Sequence, residues 1–166
     1  SDKEIFLAAN NLNALRGPDA EGYWTNTSNC QLGFRRLSIL DLSEAGNQPM
    51  VSQDGKWVMV FNGEIYNYKE LKDALVLEGF NFKGQSDSEV LINYFQHFGI
   101  DATLEKIDGM FAIALFNIDA ERIYLMRDFA GVKPLFYSFL DENVVFGSQY
   151  NQIVKHPLNQ TNEIDL

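Results

Sequence analysis

Apolar residues fall at helical spacing at the start of this chain and at alternating spacing soon after. Ile5, Ala8, Ala9, Leu12 and Leu15 follow Ser1-Asp2-Lys3-Glu4, a capping-box pattern, and predict an opening helix. Arg16-Gly17-Pro18-Asp19 stops it, since Gly suits a helix end and Pro cannot continue one. Alternation then predicts strands over 22–27, 32–42 and 56–61, with turns at Ser43-Glu44-Ala45-Gly46 and Asp54-Gly55. Two consecutive amphipathic helices follow, over 69–78, closed by Gly79, and over 87–98, closed by Gly99. Ser86 caps the second, with Glu89 completing another capping box. Strands return over 110–118, 122–127, 135–139 and 144–147. Two groups of strands thus flank a helical pair, and each group needs a partner for its apolar face. That predicts an α+β fold of two antiparallel sheets packed face to face with helices outside, not a parallel βαβ sheet. The domain is expected to span 1–154, with the polar stretch 155–166 as a linker toward a further domain.

Composition narrows the picture. Hydrophobic residues make up 46% of the 166 and charged residues 22%, enough apolar surface for a folded core without staples. The formal charge of −10, with no dense block of Lys or Arg, lacks the footprint needed to hold a phosphate backbone, which argues against nucleic acid. No apolar run approaches bilayer length, which argues against a membrane partner. Cys30 is the only cysteine, so an intrachain disulfide is excluded and a cytoplasmic, reducing compartment is expected. With only His97 and His156 and no Cys/His cluster, no metal site is predicted. The chain starts with Ser1 and has no signal-like region, so its beginning reads as a boundary.

Candidate chemistry begins at Asn62-Gly63-Glu64, which closes the apolar run Trp57-Val58-Met59-Val60-Phe61. An Asn side-chain amide and the next Gly N–H can converge on the oxygen of a tetrahedral intermediate, beside a carboxylate able to grip a charged substrate group. Taken alone, however, Asn-Gly after a β-run reads as a type I′ hairpin turn.

Four stretches in order decide between turn and site. These are Arg16-Gly17-Pro18-Asp19, Arg35-Arg36-Leu37-Ser38-Ile39, Phe61-Asn62-Gly63-Glu64-Ile65-Tyr66-Asn67 and Ser86-Asp87-Ser88-Glu89-Val90. With Gln48-Pro49-Met50, Arg127-Asp128 and Gly131-Val132-Lys133-Pro134-Leu135, they resemble the glutaminase domain of class II glutamine amidotransferases, most closely in the asparagine synthetase family. The resemblance covers nearly the whole chain and implies a four-layer αββα sandwich of the N-terminal nucleophile hydrolase type. It further implies hydrolysis of glutamine to glutamate and ammonia, for ATP-dependent amidation by a second domain. Arg36 matches the arginine that holds the glutamine α-carboxylate, a task suited to a guanidinium fork. Asn62 and Gly63 match the oxyanion hole, and Glu64 and Asp87 the acidic groups at the α-amino end. These five are expected to line one concave pocket. No cofactor is implied for this domain, whereas ATP and Mg are implied for the synthetase domain. The implied partners are glutamine, a covalently linked synthetase domain and, as a candidate, a second copy of the chain.

Departures from the family matter as much. Its nucleophile is a cysteine at the mature N-terminus, and this chain has neither that cysteine nor the strand that bears it. Cys30 is internal, in a turn-like segment without a free amine, and Ser1 opens a helix, so neither is a substitute. Leu15, Phe34 and Asn47 stand where the family has histidines, and Gln149 where it has Glu. Two readings stay open. One is a glutaminase domain whose N-terminal strand lies outside these residues, and the other a degenerate, non-catalytic domain with a binding or scaffold role.

Overall fold

The computed structural model describes residues 2–15, 17–26, 28–36, 46–140 and 142–157. Its centre is a four-stranded antiparallel sheet, ordered β3 (Met50–Val51), β4 (Trp57–Ile65), β5 (Gly109–Asn117) and β6 (Arg122–Arg127). β4 and β5 pair along nine residues, from Trp57 opposite Asn117 to Ile65 opposite Gly109. Their alternation assigns two faces. Met59, Phe61 and Ile65 of β4, with Phe111, Ile113 and Leu115 of β5, pack against α2 (Tyr68–Leu77) and α3 (Asp87–Phe98). Leu71, Leu75, Val90, Leu91 and Phe95 supply the helical side of that core. Val58 and Val60, with Phe116, turn to the opposite face and meet Leu32, Trp24 and Phe146. Both faces are covered, so both strands read as nearly continuous apolar runs.

Leu32 and Trp24 belong to the hairpin of β1 (Ala20–Thr25) and β2 (Gln31–Arg36), and Phe146 to that of β7 (Phe136–Leu140) and β8 (Asn143–Gly147). The outermost layer is α1 (Asp2–Asn11), whose Phe6 lies on Gly33 of β2, and α5 (Tyr150–Val154), whose Tyr150 stacks edge-on against Phe136. The Gln152 side chain reaches the Ala9 carbonyl at 3.4 Å, joining the two outer helices. The order of layers is therefore helices, hairpins, sheet, helices.

This is the expected α+β sandwich, with particular differences. The second sheet consists of two hairpins with no ladder between them among the described residues. Asn62-Gly63 is not a turn: β4 runs straight through it, paired with Ala112 and Phe111. A Cβ at Gly63 would collide with the Met110 carbonyl, and one at Gly109 with the Glu64 carbonyl, so these glycines permit the close crossing of the two strands. Ser86 caps α3 by accepting from the Glu89 N–H at 3.2 Å. The Glu89 carboxylate does not complete the box; it accepts from Lys83 and Gly84 N–H, both at 2.8 Å, and holds the loop before the helix. The predicted strand over 32–42 is described only to Arg36, and its remainder, like 158–166 of the expected linker, lies outside the described residues. α4 (Ile100–Leu104), β3 and α5 were not predicted.

Ile113 is fully buried in the core beneath α2 and α3, whereas Leu77 is 88% exposed. Ile113→Ala is expected to cost about 2–5 kcal/mol through lost burial and cavity formation. Leu77→Ala is expected to stay within about 0.5 kcal/mol. Urea unfolding of the two variants measures the difference.

Candidate functional site

The last third of β4 is held from outside the sheet. Odd-numbered residues of this strand turn their backbone groups away from β5, where, among the described residues, only a two-residue β3 pairs with them. Side chains supply much of the rest. Trp57 N–H donates to Ser52 Oγ at 3.0 Å, Phe61 N–H to Gln48 Oε1 at 2.6 Å and Ile65 N–H to Asp87 Oδ2 at 3.0 Å. Gly63 lies between the last two, and its N–H makes no hydrogen bond among the described residues. Nor do the Asn62 side-chain amide or the Glu64 carboxylate, both of which share the parity of Val58 and Val60. The strand is thus fastened on either side of the Asn62 amide, the Gly63 N–H and the Glu64 carboxylate, which are unspent among the described residues.

Those groups open on a cavity of about 1280 Å³ between β4 and the hairpin layer. Arg36, Asn62, Gly63, Glu64 and Asp87 all line it, so residues up to 51 apart in sequence share one concavity. Arg36 ends β2, is 9% exposed, and donates from its guanidinium to Asn47 Oδ1 at 2.8 Å. Gly46 makes room for it, since a Cβ there would press on the guanidinium. Asp87 occupies the first turn of α3. Burial pushes its pKa upward, opposed by the Ile65 and Ser88 N–H groups and reinforced by the nearby Glu64 charge. One buried cation and two carboxylates in a shared cavity match the charges of a zwitterionic amino acid, with two amide donors left over.

Asp128, to which the sequence assigned no role, holds a loop that lines the same cavity. Its carboxylate accepts from Phe111, Val132 and Lys133 N–H at 3.1, 2.8 and 3.0 Å. These bonds, the one from Lys133 foremost, hold its pKa below the ordinary range, helped by the Arg127 charge. Arg127 donates to the Lys133 and Gly131 carbonyls at 2.7 and 2.6 Å and closes the same loop, whose Val132 and Leu135 face the cavity. An Asp ending an alternating strand, with a Gly three residues on, was the available signal.

Residues 1–165 match the family model described as "Glutamine amidotransferase domain". The chain belongs to that family. It is 38% identical over 152 residues to "Asparagine synthetase [glutamine-hydrolyzing] 1" and 44% identical over 144 residues to "Asparagine synthetase [glutamine-hydrolyzing] 2", both of Bacillus subtilis (strain 168). Those matches cover 92% and 87% of this chain but 24% and 19% of the relatives, so it spans a quarter or less of their length. Its fold is similar to that of the glutamine phosphoribosylpyrophosphate amidotransferase from B. subtilis, with a TM-score of 0.64 and 22% identity over 76% of this chain and 29% of the other. The amidotransferase domain thus has the N-terminal nucleophile hydrolase sandwich expected of it.

The four positions at which the resemblance leads us to expect other residues separate physically. Asn47 is the acceptor for Arg36, Phe34 lines the cavity, and Leu15 is 96% exposed. The Gln149 N–H donates to Gln152 Oε1 at 3.2 Å at the start of α5. Cys30 does not line the cavity: it packs with Leu32, Val58 and Phe116, and burial pushes its thiol up to about 11. That is an inert thiol at neutral pH. Ser1 lies outside the described residues. Among the described residues no group of three or more His, Cys, Asp or Glu could hold a metal ion, and no helix is long and apolar enough to cross a membrane. His97 pairs with Glu78 at 3.5 Å, and His156, expected in the linker, instead lines the cavity directly after α5.

Asp87 and Asp128 are expected to shape acid stability in opposite senses. The raised Asp87 pKa means that stability falls as pH rises from the ordinary aspartate value through the folded one. The depressed Asp128 pKa means that its contribution is present above the ordinary value and is lost as pH falls through the folded one. Asp87→Asn should flatten the first limb and Asp128→Asn the second, as read by urea unfolding across the acid range.

Proposed function

We propose that this domain binds glutamine as the glutaminase part of an asparagine-synthetase-like amidotransferase, in which glutamine and water give glutamate and ammonia for use by a linked synthetase domain. The observation that carries this reading is the pair left without hydrogen bonds among the described residues, Asn62 amide and Gly63 N–H, in one cavity with Arg36, Glu64 and Asp87. Arg36 would take the α-carboxylate with its guanidinium fork, and Glu64 and Asp87 the α-ammonium. The carboxamide oxygen then meets Asn62 and Gly63, where donors held ready stabilise the charge that develops on attack. Attack itself needs a nucleophile. Cys30 is excluded by its place and its raised pKa, and the resemblance to the family implies that role for a cysteine at the mature N-terminus, which these 166 residues do not contain. ATP and Mg belong, in this reading, to the linked domain, and the protein works in the cytoplasm, as a homodimer if copies associate.

A second reading keeps glutamine binding without hydrolysis. It is favoured by the absence of a cysteine among the described residues lining the cavity and by Leu15, Phe34 and Asn47, which stand where the resemblance leads us to expect histidines. The upstream coding sequence separates the two, since Met-Cys-Gly ahead of the opening helix requires the first.

These 166 residues should bind glutamine in a calorimetric titration and release no ammonia above a blank. Arg36→Ala is expected to weaken binding by about 2–4 kcal/mol through loss of a charge-assisted pair, and Cys30→Ala to leave it unchanged. Equal affinities for wild type and Arg36→Ala would sink the assignment.

A further inference from the structure

Gln48 is a buried side chain, 6% exposed, just before β3. The β3 ladder reaches only Met59 and Val58 of β4, so it ends short of Phe61, whose N–H and carbonyl are left facing the same open edge. The Gln48 amide satisfies both. Its Oε1 accepts from the Phe61 N–H at 2.6 Å, and its Nε2 donates to the Phe61 carbonyl at 3.2 Å. A primary amide can do this because it presents a donor and an acceptor in one plane, as a neighbouring peptide group would. Gln48 Nε2 also approaches Ser88 Oγ at 3.5 Å, and that hydroxyl lies 3.4 Å from Asp87 Oδ1. Asp87 in turn holds Ile65. The two fastenings on either side of Asn62-Gly63-Glu64 are therefore themselves connected.

We infer that Gln48 is a positioning residue for carboxamide recognition: by standing in for a strand at Phe61 it fixes the direction of the Asn62 amide and the Gly63 N–H, and Ser88 couples it to Asp87. This inference rests on the glutamine reading of the cavity. Loss of Gln48 orphans a buried N–H and carbonyl one residue before the donors, leaving that peptide free to turn toward another partner. Donors for an oxyanion tolerate little misplacement.

The test compares glutamine with 2-aminopentanoate, which has the same α-amino acid end and no carboxamide, on the wild-type chain and on Gln48→Met and Gln48→Glu. If Gln48 positions the donors, each folded variant loses about tenfold in glutamine affinity, the scale of one hydrogen bond, while affinity for 2-aminopentanoate stays within about twofold. A general loosening of the fold would weaken both ligands alike and would overturn the inference, as would an unchanged ratio. Where Gln48→Met does not fold, Gln48→Glu decides, because it retains the volume and the acceptor for Phe61. Amide NMR supplies a readout independent of the ligand. In the wild type, Phe61 and Ile65 should exchange slowly and Gly63 fast, and the Gly63 and Asn62 side-chain resonances should move in the variants while Val58 does not. Binding of neither amino acid by the wild type would defeat the glutamine reading, and the resonances of Gly63 and Asn62 would still decide the positioning role. If those resonances stay in place, Gln48 is only a structural residue.

Discussion

Each peptide group buried in β4 needs a partner on both sides of the strand, and the way this demand is met governs the rest of the molecule. On one side β5 meets it through a nine-residue ladder. On the other, β3 is two residues long and side chains from three separate segments take over, Ser52, Gln48 and Asp87. Satisfying Trp57, Phe61 and Ile65 in this way ties the loop before β4, the Gln48 segment and the start of α3 to a single strand. It also leaves Gly63 as the position in that row with an unused N–H among the described residues. A strand fully paired on both edges would have no donor to offer, and an unpaired one would not hold its donors still.

The same strand explains why apolar core and polar site can adjoin without a domain boundary. Even-numbered side chains of β4 face the hairpin layer, first as Val58 and Val60 in the inter-sheet core and then, along the same row, as Asn62 and Glu64 in the cavity. Two hairpins rather than one closed sheet make this layer, and the space between the sheet and these hairpins is the cavity. Burial that packs the first half of the row desolvates the second half, and Asp87 registers it as a raised pKa.

Much of the fold was legible in the chain because the signals were local. α3 begins after Ser86 and ends before Gly99, and β6 runs from Arg122 to Arg127, both as predicted, since caps and alternation are written within the element. The failures came where a distant partner overruled a local signal. Asn62-Gly63 carries the composition of a turn, yet the β5 ladder and the matching Gly109 keep it extended. Glu89 fits a capping box, yet two orphaned N–H groups at Lys83 and Gly84 claim its carboxylate. β3, α4 and α5 were missed because two to five residues give too short a period to recognise. The five candidate site residues were named from their motifs, and the cavity collects all five. Gln48 and Asp128 drew no role because a hydrogen bond to another strand's backbone leaves no mark on the sequence around the donor or acceptor.

Charge adds a final constraint. The chain carries a net −10, and the cavity adds two carboxylates that repel one another, with Glu64 raising the pKa of Asp87. Holding them next to each other in a partly desolvated cavity lowers stability, and the hydrogen bonds that use the charge are those Asp87 accepts from Ile65 and Ser88. Such a cost is usual where a site is kept ready for a counter-charge rather than optimised for the empty fold. An ammonium seated between Glu64 and Asp87 would relieve the repulsion, and the desolvation that raises Asp87 would strengthen that contact. Arg36, buried on Asn47, would supply the matching positive charge for a carboxylate. In the proposed reading, selectivity for an amino acid over a simple amine or acid would follow from the pairing, because only a zwitterion engages the carboxylates and the guanidinium together.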